Sequence, residues 1–141
     1  MAVERQLIVG WQNRPGELAN FCEALAEAGV NIIAMATAEA GEYGAVRVLV
    51  DDVATGREVF KKQGVAHTSI EVLVVELDNQ PGALARITRT LADHRISIEY
   101  FYASAPIGGH GVIGVFKVSD PYAADQLLAG GAEVAAVAGE E

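Results

Sequence analysis

Apolar and polar positions along the chain follow two different spacings, one typical of strands and one typical of helices. Residues 3–11 alternate and run apolar, which predicts a strand. In the segment that follows, Leu18, Phe21 and Leu25 recur at helical spacing, so a helix is predicted there. Pro15 is expected to occupy its first position, where the missing N–H does no harm, and Gly29 is placed to end it.

The spacing of apolar and polar residues also predicts the remaining elements in the first half of the chain. It predicts, in order, a strand over residues 30–38, a turn at 41–44, a strand over 45–50, a short helix that Asp51 or Asp52 caps and that runs to Lys62, and a strand over 65–69. The first half therefore has the element order β-α-β-β-α-β, which is the ferredoxin-like split βαβ arrangement.

This pattern occurs twice in the chain. The segment N-R-P-G-E-L-A at 13–19 matches N-Q-P-G-A-L-A at 79–85, an offset of 66 residues, and Leu7, Leu25 and Ile32 then fall on Leu73, Leu91 and Ile98. A one-residue insertion near Gly109 loosely aligns 46–50 with 113–117. The second copy is predicted to contain strands over 70–77, 96–104 and 112–118, helices over 81–94 and from about 120, a turn at 108–111 and a last strand within 133–137.

A repeat of this kind predicts an α+β protein of two ferredoxin-like βαββαβ units in tandem, with antiparallel sheets and helices on one sheet face. The expected domains are residues 1–69 and 70–141. Strict alternation places residues 30, 32, 34 and 36 on one face of their strand and 31, 33 and 35 on the other, and both sets include apolar side chains. Because an uncovered apolar sheet face favours association, we expect a homodimer.

Charge and composition remove several classes of function. The formal net charge of −9, with no stripe rich in Lys and Arg, argues against nucleic acid as a partner. One cysteine and three well-separated histidines predict no metal site and no cofactor. The N-terminal segment M-A-V-E-R-Q lacks a long apolar run, so we expect no signal peptide, no membrane partner and a cytoplasmic location.

The two N-x-P-G segments are the candidate functional loops, because each lies between a strand and the start of a helix. The amides of Gly16, Glu17 and Leu18, and of their second-copy counterparts Gly82, Ala83 and Leu84, are donors that a helix start leaves without intrahelical acceptors. A carboxylate gains about 1.5–3 kcal/mol from each charge-assisted hydrogen bond of this kind. The alternative interpretation is that N-x-P-G is only good turn-to-helix chemistry.

With these motifs, and with G-V-N-I at 29–32, the chain resembles the ACT domain family, and in particular proteins made of two ACT units alone. The resemblance implies the βαββαβ fold and the binding of an amino acid where two units meet. In serine-binding ACT units of phosphoglycerate dehydrogenases, H-x-N-R-P-G is followed by a second Asn, 18 residues after the first. Asn13 and Asn31 match these two positions, whereas Trp11 replaces the His.

The resemblance also implies a set of candidate ligand-binding residues, in which amides hold the carboxylate and Asn side chains hold the ammonium or side chain. The set is Trp11, Asn13, Arg14, Gly16, Glu17, Leu18, Asn31, Asn79, Gly82, Ala83, Leu84 and Ser97. If the two units of one chain pair, the Asn13 loop faces Ser97; if like units of two chains pair, it meets Asn31. The sequence leaves both arrangements open.

Three functions follow as hypotheses. The first is a non-enzymatic amino-acid sensor that regulates amino-acid metabolism, acting on a target enzyme. The second is a regulatory subunit or interaction module that binds no ligand, for which acetolactate synthase small subunits and glycine-cleavage repressor-like proteins are family analogies. The third is an acylphosphatase-like enzyme on the same fold, which we do not favour because the phosphate-cradling Arg it requires has only Arg14 as a candidate, with Gln80 in the second copy.

Overall fold

The structure is a computed structural model that describes residues 2–40, 43–104 and 112–129. Its helices and strands, in chain order, are β1 (Ala2–Gln12), α1 (Glu17–Glu27), β2 (Ile32–Ala40), β3 (Tyr43–Val50), α2 (Val53–Lys62), β4 (His67–Leu77), α3 (Ala83–Asp93), β5 (Ile98–Ser104), β6 (Val112–Val118) and α4 (Pro121–Ala129). The expected turn at 108–111 and the last strand within 133–137 lie outside the described residues.

The chain forms two compact units. The N-terminal unit is Arg5–Ile70, and the C-terminal unit begins at Glu71 and includes the residues before Arg5. The strand order is β4-β1-β3-β2 in the N-terminal unit and β4-β6-β5 in the C-terminal unit, and the β1–β3, β2–β3, β4–β6 and β5–β6 pairs are antiparallel. This confirms the expected α+β class with two βαββαβ units, whereas the domain boundary between 69 and 70 stays a prediction.

Each unit has a core between its helices and one face of its strands. In the N-terminal unit, Phe21 of α1 stacks on Phe60 of α2 with ring centroids 5.1 Å apart, over the strand residues Leu7 and Val48. In the C-terminal unit, Phe116 of β6 lies in a core with Leu91 of α3 and Leu128 of α4. The helical spacing of apolar residues therefore marks the faces that these helices bury.

The strands β2 and β5 each contain an irregularity at the corresponding place. The pairing shifts between Ile32 and Ala34 in β2, and between Ile98 and Tyr100 in β5. As a result Ile32 and Met35 both pack against the N-terminal core. The strict alternation expected from the sequence, which put residues 32 and 35 on opposite faces, is wrong here, because a bulge adds one residue and reverses the side-chain direction beyond it.

The register of the strand pairs also corrects the alignment of the two copies. Ile32 pairs with Val50, and its counterpart Ile98 pairs with Val118. The second strands of the two hairpins are therefore 68 residues apart, so the connection in the C-terminal unit is two residues longer, and not one as the sequence alignment suggested.

The sheet face opposite to the helices is less open than the alternation suggested. In the N-terminal unit, Gln6 and Leu49 lie on this face next to the core pair Leu7 and Val48, and they are 0% and 1% exposed. In the C-terminal unit, Val72 and Val115 are both 0% exposed. A homodimer was expected because an apolar sheet face would be uncovered, and the burial of these residues weakens that reason. The homodimer stays a prediction.

Candidate ligand-binding site

The first N-x-P-G loop connects the end of β1 to the start of α1. The Arg14 amide donates to the Gln12 carbonyl (2.9 Å), and the Glu17 amide donates to the Arg14 carbonyl (3.2 Å). Gly16 is the N-cap of α1, with φ 89°, and no side chain caps the helix. The helix begins at Glu17, so the expectation that Pro15 occupies its first helical position is wrong.

The glycine of this loop is required by its backbone conformation. A φ of 89° at Gly16 lies in the left-handed region, which a side chain at Cβ disfavours. A Cβ built at this position would meet no atom within 4 Å. The space beside Gly16 is therefore open, and the positive φ is the reason for the glycine.

The start of α1 keeps part of its expected set of donors. The Gly16 and Leu18 amides donate no hydrogen bond to any described residue. The Glu17 amide, however, is used inside the turn. Three donors were expected in this loop, and two of them, on Gly16 and Leu18, are not used within the described part of the protein itself.

The second loop has the same backbone geometry. The Gln80 amide donates to the Asp78 carbonyl (2.8 Å), the Ala83 amide donates to the Gln80 carbonyl (3.3 Å), and Gly82 has φ 91°. The surroundings differ, because the Arg86 guanidinium lies 3.5 Å from where a Cβ on Gly82 would be. A cleft of about 710 Å³ next to this loop includes Gly82 and Arg86.

Trp11 packs into the protein and does not point freely toward the loop. It is half-buried against the N-terminal core and pairs with Gly44 of β3. A Cβ on Gly44 would lie 2.6 Å from the indole Nε1, so the glycine is needed to admit the ring. This Nε1 is buried and has no hydrogen-bond partner among the described residues.

A cleft of about 340 Å³ lies directly before the start of α1. It is lined by Gln12, Asn13, Arg14 and Tyr43. Asn13 and Arg14 were expected at the site, whereas Gln12 and Tyr43 were missed. Tyr43 reaches the cleft because it pairs with Gln12 across β1 and β3, and its side chain is 62% exposed. Only the register of β1 against β3 could have revealed this, since Tyr43 is 30 positions from Asn13 in the sequence.

The structure does not bring Asn13 and Asn31 of one unit together. Asn31 precedes β2, and its backbone exchanges hydrogen bonds with Asp51 after β3 (Asn31 amide to Asp51 Oδ1, 2.9 Å). Asn13 lies at the other end of β3, beside Tyr43. The eight residues of β3 separate these ends by about 23 Å at 3.3 Å per residue, so one small ligand cannot contact both.

Ser97 occupies the corresponding place in the C-terminal unit. Its amide donates to Ser119 Oγ (3.0 Å), and the Ser119 amide donates to the Ser97 carbonyl (2.9 Å). Asn79 and Leu84 are exposed at the far end of the same unit. The two units therefore repeat the backbone framework, with different side chains at the positions that the sequence analysis assigned to the ligand.

Cys22, His67 and His94, whose side chains could take part in chemistry, each contact other parts of the protein. Cys22 packs against the N-terminal core, and the ring Nδ1 atoms of His67 and His94 each lie 2.9 Å from a backbone carbonyl oxygen. In the described part of the chain, no group of three His, Cys, Asp or Glu side chains is placed to hold a metal ion. Within the same residues, no helix has the length and apolar character that crossing a bilayer requires.

Comparison with known families identifies the fold. Residues 1–130 match the family model described as an ACT domain pair, so the chain belongs to the family of ACT domain pairs. The resemblance inferred from the two N-x-P-G segments is thereby confirmed. No curated protein matches the chain.

Solved structures agree with this assignment. The protein BT0572 from Bacteroides thetaiotaomicron is 28% identical, with a TM-score of 0.82 over 89% of this chain and 86% of that chain. The regulatory subunit of aspartate kinase from Thermus thermophilus is 16% identical, with a TM-score of 0.63 over 91% and 95%. The corresponding subunit from Thermus flavus is 18% identical, with a TM-score of 0.58 over 89% and 92%. The chain thus has a fold that occurs in ACT-domain regulatory proteins.

Proposed function

We propose that this protein is a non-enzymatic regulator that binds a free amino acid at the start of α1. The observation that carries the proposal is the pair of unused amides on Gly16 and Leu18, next to a cleft lined by polar side chains. The positive end of the helix dipole favours an anion at this place. The α-carboxylate of an amino acid supplies that anion, and Asn13 is close enough in the chain to contact its ammonium.

The energetics are compatible with a metabolite sensor. Binding at micromolar to millimolar dissociation constants requires about 4–8 kcal/mol. Two charge-assisted hydrogen bonds from the Gly16 and Leu18 amides contribute about 1.5–3 kcal/mol each. One or two further contacts from side chains therefore complete the affinity.

The separation of Asn13 from Asn31 supports a site completed by a second copy of the chain. β2 is the edge strand of the N-terminal unit. If the β2 strands of two copies pair antiparallel, the start of one lies beside the end of the other, where Ala40 pairs with Tyr43. Asn31 of one copy then lies at the same end of the joined sheet as the Asn13 loop of the other, so we propose a homodimer of this form.

The second loop is proposed as a weaker or different site. Its donors would be the amides of Gly82 and Leu84, since the Ala83 amide is used in the turn. Leu77, Gln80 and Ser97 replace Trp11, Arg14 and Asn31 of the first copy. The domains 1–69 and 70–141 would then carry sites of different affinity. We further propose that the protein acts in the cytoplasm on a target enzyme.

A second candidate function is a regulatory subunit that binds no ligand. It is favoured by the structural similarity to the regulatory subunit of aspartate kinase from Thermus thermophilus, which covers 91% of this chain and 95% of that chain. That protein is named as a subunit of an enzyme. The two candidates differ in whether an amino acid stabilises the isolated protein.

A thermal-shift screen of the twenty amino acids tests the proposal. A ligand at 100 times its dissociation constant adds about 2.7 kcal/mol to the stability of the folded state. Asn13→Ala should reduce this shift strongly, and Gly16→Val should remove it because valine disfavours the left-handed N-cap. Asn20→Ala, at an exposed position on α1, is the control that should respond like the parent. If no amino acid raises the melting temperature, the ligand-free module becomes the better interpretation.

Sedimentation measurements test whether two copies of the chain form the proposed homodimer. The parent should have a mass near twice the chain mass of 14.8 kDa. Thr37→Lys, at an exposed position near the middle of β2, would place two like charges close together across the proposed β2 pair and should yield monomers that bind ligand weakly. Ala54→Lys, exposed on α2, should leave the dimer intact. A parent that sediments as a monomer with ligand bound would contradict this arrangement.

A further inference from the structure

The described residues that line the cleft before α1 all have polar side chains. Gln12, Asn13, Arg14 and Tyr43 contribute two carboxamides, a guanidinium and a phenol. In the described part of the chain, none of these four side chains makes a hydrogen bond or ion pair with another protein group. Four polar groups that converge on one cleft without binding each other are available to a ligand.

Arg14 is the charged residue among the described residues that line the cleft. The chain as a whole is acidic, with 19 acidic and 10 basic residues. Arg14 is exposed, and its guanidinium has no acidic partner among the described residues. A guanidinium in this setting favours a carboxylate, which it can bind through two parallel N–H···O hydrogen bonds.

The cleft lies directly before the helix start that is proposed to hold the α-carboxylate. Gln12, Asn13 and Arg14 directly precede the Gly16 N-cap, whose amide is proposed to hold the α-carboxylate. The exposed ring of Tyr43 forms the wall contributed by β3. A side chain that leaves the start of α1 through this cleft therefore passes Tyr43 and meets Arg14.

We propose that the bound amino acid has an acidic side chain, as L-aspartate and L-glutamate do, and that Arg14 and Tyr43 determine this specificity. This inference rests on the proposed function, since it assigns the ligand class of the same site. Arg14 binds the side-chain carboxylate, and the Tyr43 ring covers the aliphatic part of the ligand and limits the access of water to the ion pair.

The second loop provides a matched substitution. Gln80 stands at the position of Arg14, within a turn that has the same hydrogen bonds. Arg14→Gln therefore installs a residue that this backbone already accepts elsewhere in the protein. Arg57→Gln, at an exposed position on α2, changes the net charge equally and serves as the control.

Isothermal titration of the full chain with L-glutamate, L-glutamine, L-aspartate, L-asparagine and glutarate tests the inference. In the parent and in Arg57→Gln, at least one acid should bind ten or more times tighter than its amide. In Arg14→Gln this preference should fall below threefold, because the acid loses more affinity than the amide. Tyr43→Phe should keep the preference, whereas Tyr43→Ala should weaken binding of both acid and amide at least threefold.

The outcomes separate the inference from the proposed function. If amides bind the parent as tightly as acids, or if Arg14→Gln keeps the preference, the acidic ligand class is wrong and the amino-acid site stands. If glutarate binds as tightly as glutamate, the ammonium is not recognised and the ligand is a plain dicarboxylate, which overturns the inference. If an amino acid of another class is the only one that binds, the inference fails as well. If none binds, the proposed function fails with it.

Discussion

The two helix ends that lead into β2 and β5 close with the same hydrogen bond but have different residues in the left-handed position. At the end of α1, Gly29 (φ 75°) precedes Val30, whose amide donates to the Leu25 carbonyl (2.9 Å). At the end of α3, Arg95 (φ 58°) precedes Ile96, whose amide donates to the Leu91 carbonyl (2.9 Å). Replacing Arg95 by glycine should therefore stabilise the protein.

The magnitude follows from two opposing contributions. The left-handed conformation costs a residue with a Cβ about 1–2 kcal/mol, which Arg95→Gly recovers. Glycine also makes the unfolded chain more flexible, which costs about 0.5–1 kcal/mol. Arg95 is exposed and has no side-chain partner among the described residues, so little else is lost. We expect a net gain of about 0.5–1 kcal/mol, and a loss of about 1 kcal/mol for the reverse change, Gly29→Ala.

Thermal and urea unfolding measure this difference. For a chain of this size, a gain of about 0.5–1 kcal/mol raises the melting temperature by about 2–4 °C, and the denaturant m-value should not change. Ala28→Gly is the control, because Ala28 has an ordinary φ of −84° and its replacement should destabilise. If Arg95→Gly is neutral or destabilising, backbone strain at this helix end is not the dominant effect.

Three further predictions concern other parts of the N-terminal unit. Gly44→Ala should destabilise by about 1–3 kcal/mol and shift the fluorescence of Trp11, since its Cβ would lie 2.6 Å from the indole Nε1 and from a backbone carbonyl of β2. Hydrogen bonds from the Thr55 hydroxyl and amide lower the pKa of Asp52, the N-cap of α2. Asp52→Ala should therefore lower the melting temperature above pH of about 4, and this deficit should shrink as the pH falls through the lowered pKa, as melting curves across that range would show. Phe60→Ala should cost about 3–5 kcal/mol in urea unfolding because the ring is 0% exposed in the core.

The order of the elements was predictable because it follows from local patterns. The spacing of Leu18, Phe21 and Leu25 marks the buried side of α1, and the repetition of N-x-P-G locates the second unit. The bulges in β2 and β5 were not predictable, because they depend on how each strand pairs with its neighbour. The faces of β2 were consequently assigned wrongly beyond residue 32.

Of the candidate site, only the positions of the two backbone loops could be predicted from the sequence. The N-x-P-G pattern located the loops, but the expectation for Pro15 was wrong by the two residues that separate it from the start of α1. Tyr43 was missed because its place beside Asn13 depends on the pairing of Gln12 with Tyr43. Long-range strand register of this kind has no signal in a single sequence.

The two copies show which positions specify the fold and which ones differ between the ligand sites. Gly16 and Gly82 have φ values of 89° and 91°, so the left-handed N-cap occurs in both loops whatever side chains surround it. The positions beside this framework have different chemistry: Arg14 faces a cleft in the first loop, whereas Arg86 approaches the helix start in the second. Because the backbone donors are equal and the nearby cations are placed differently, the two loops of one chain should not bind the same ligand with equal affinity.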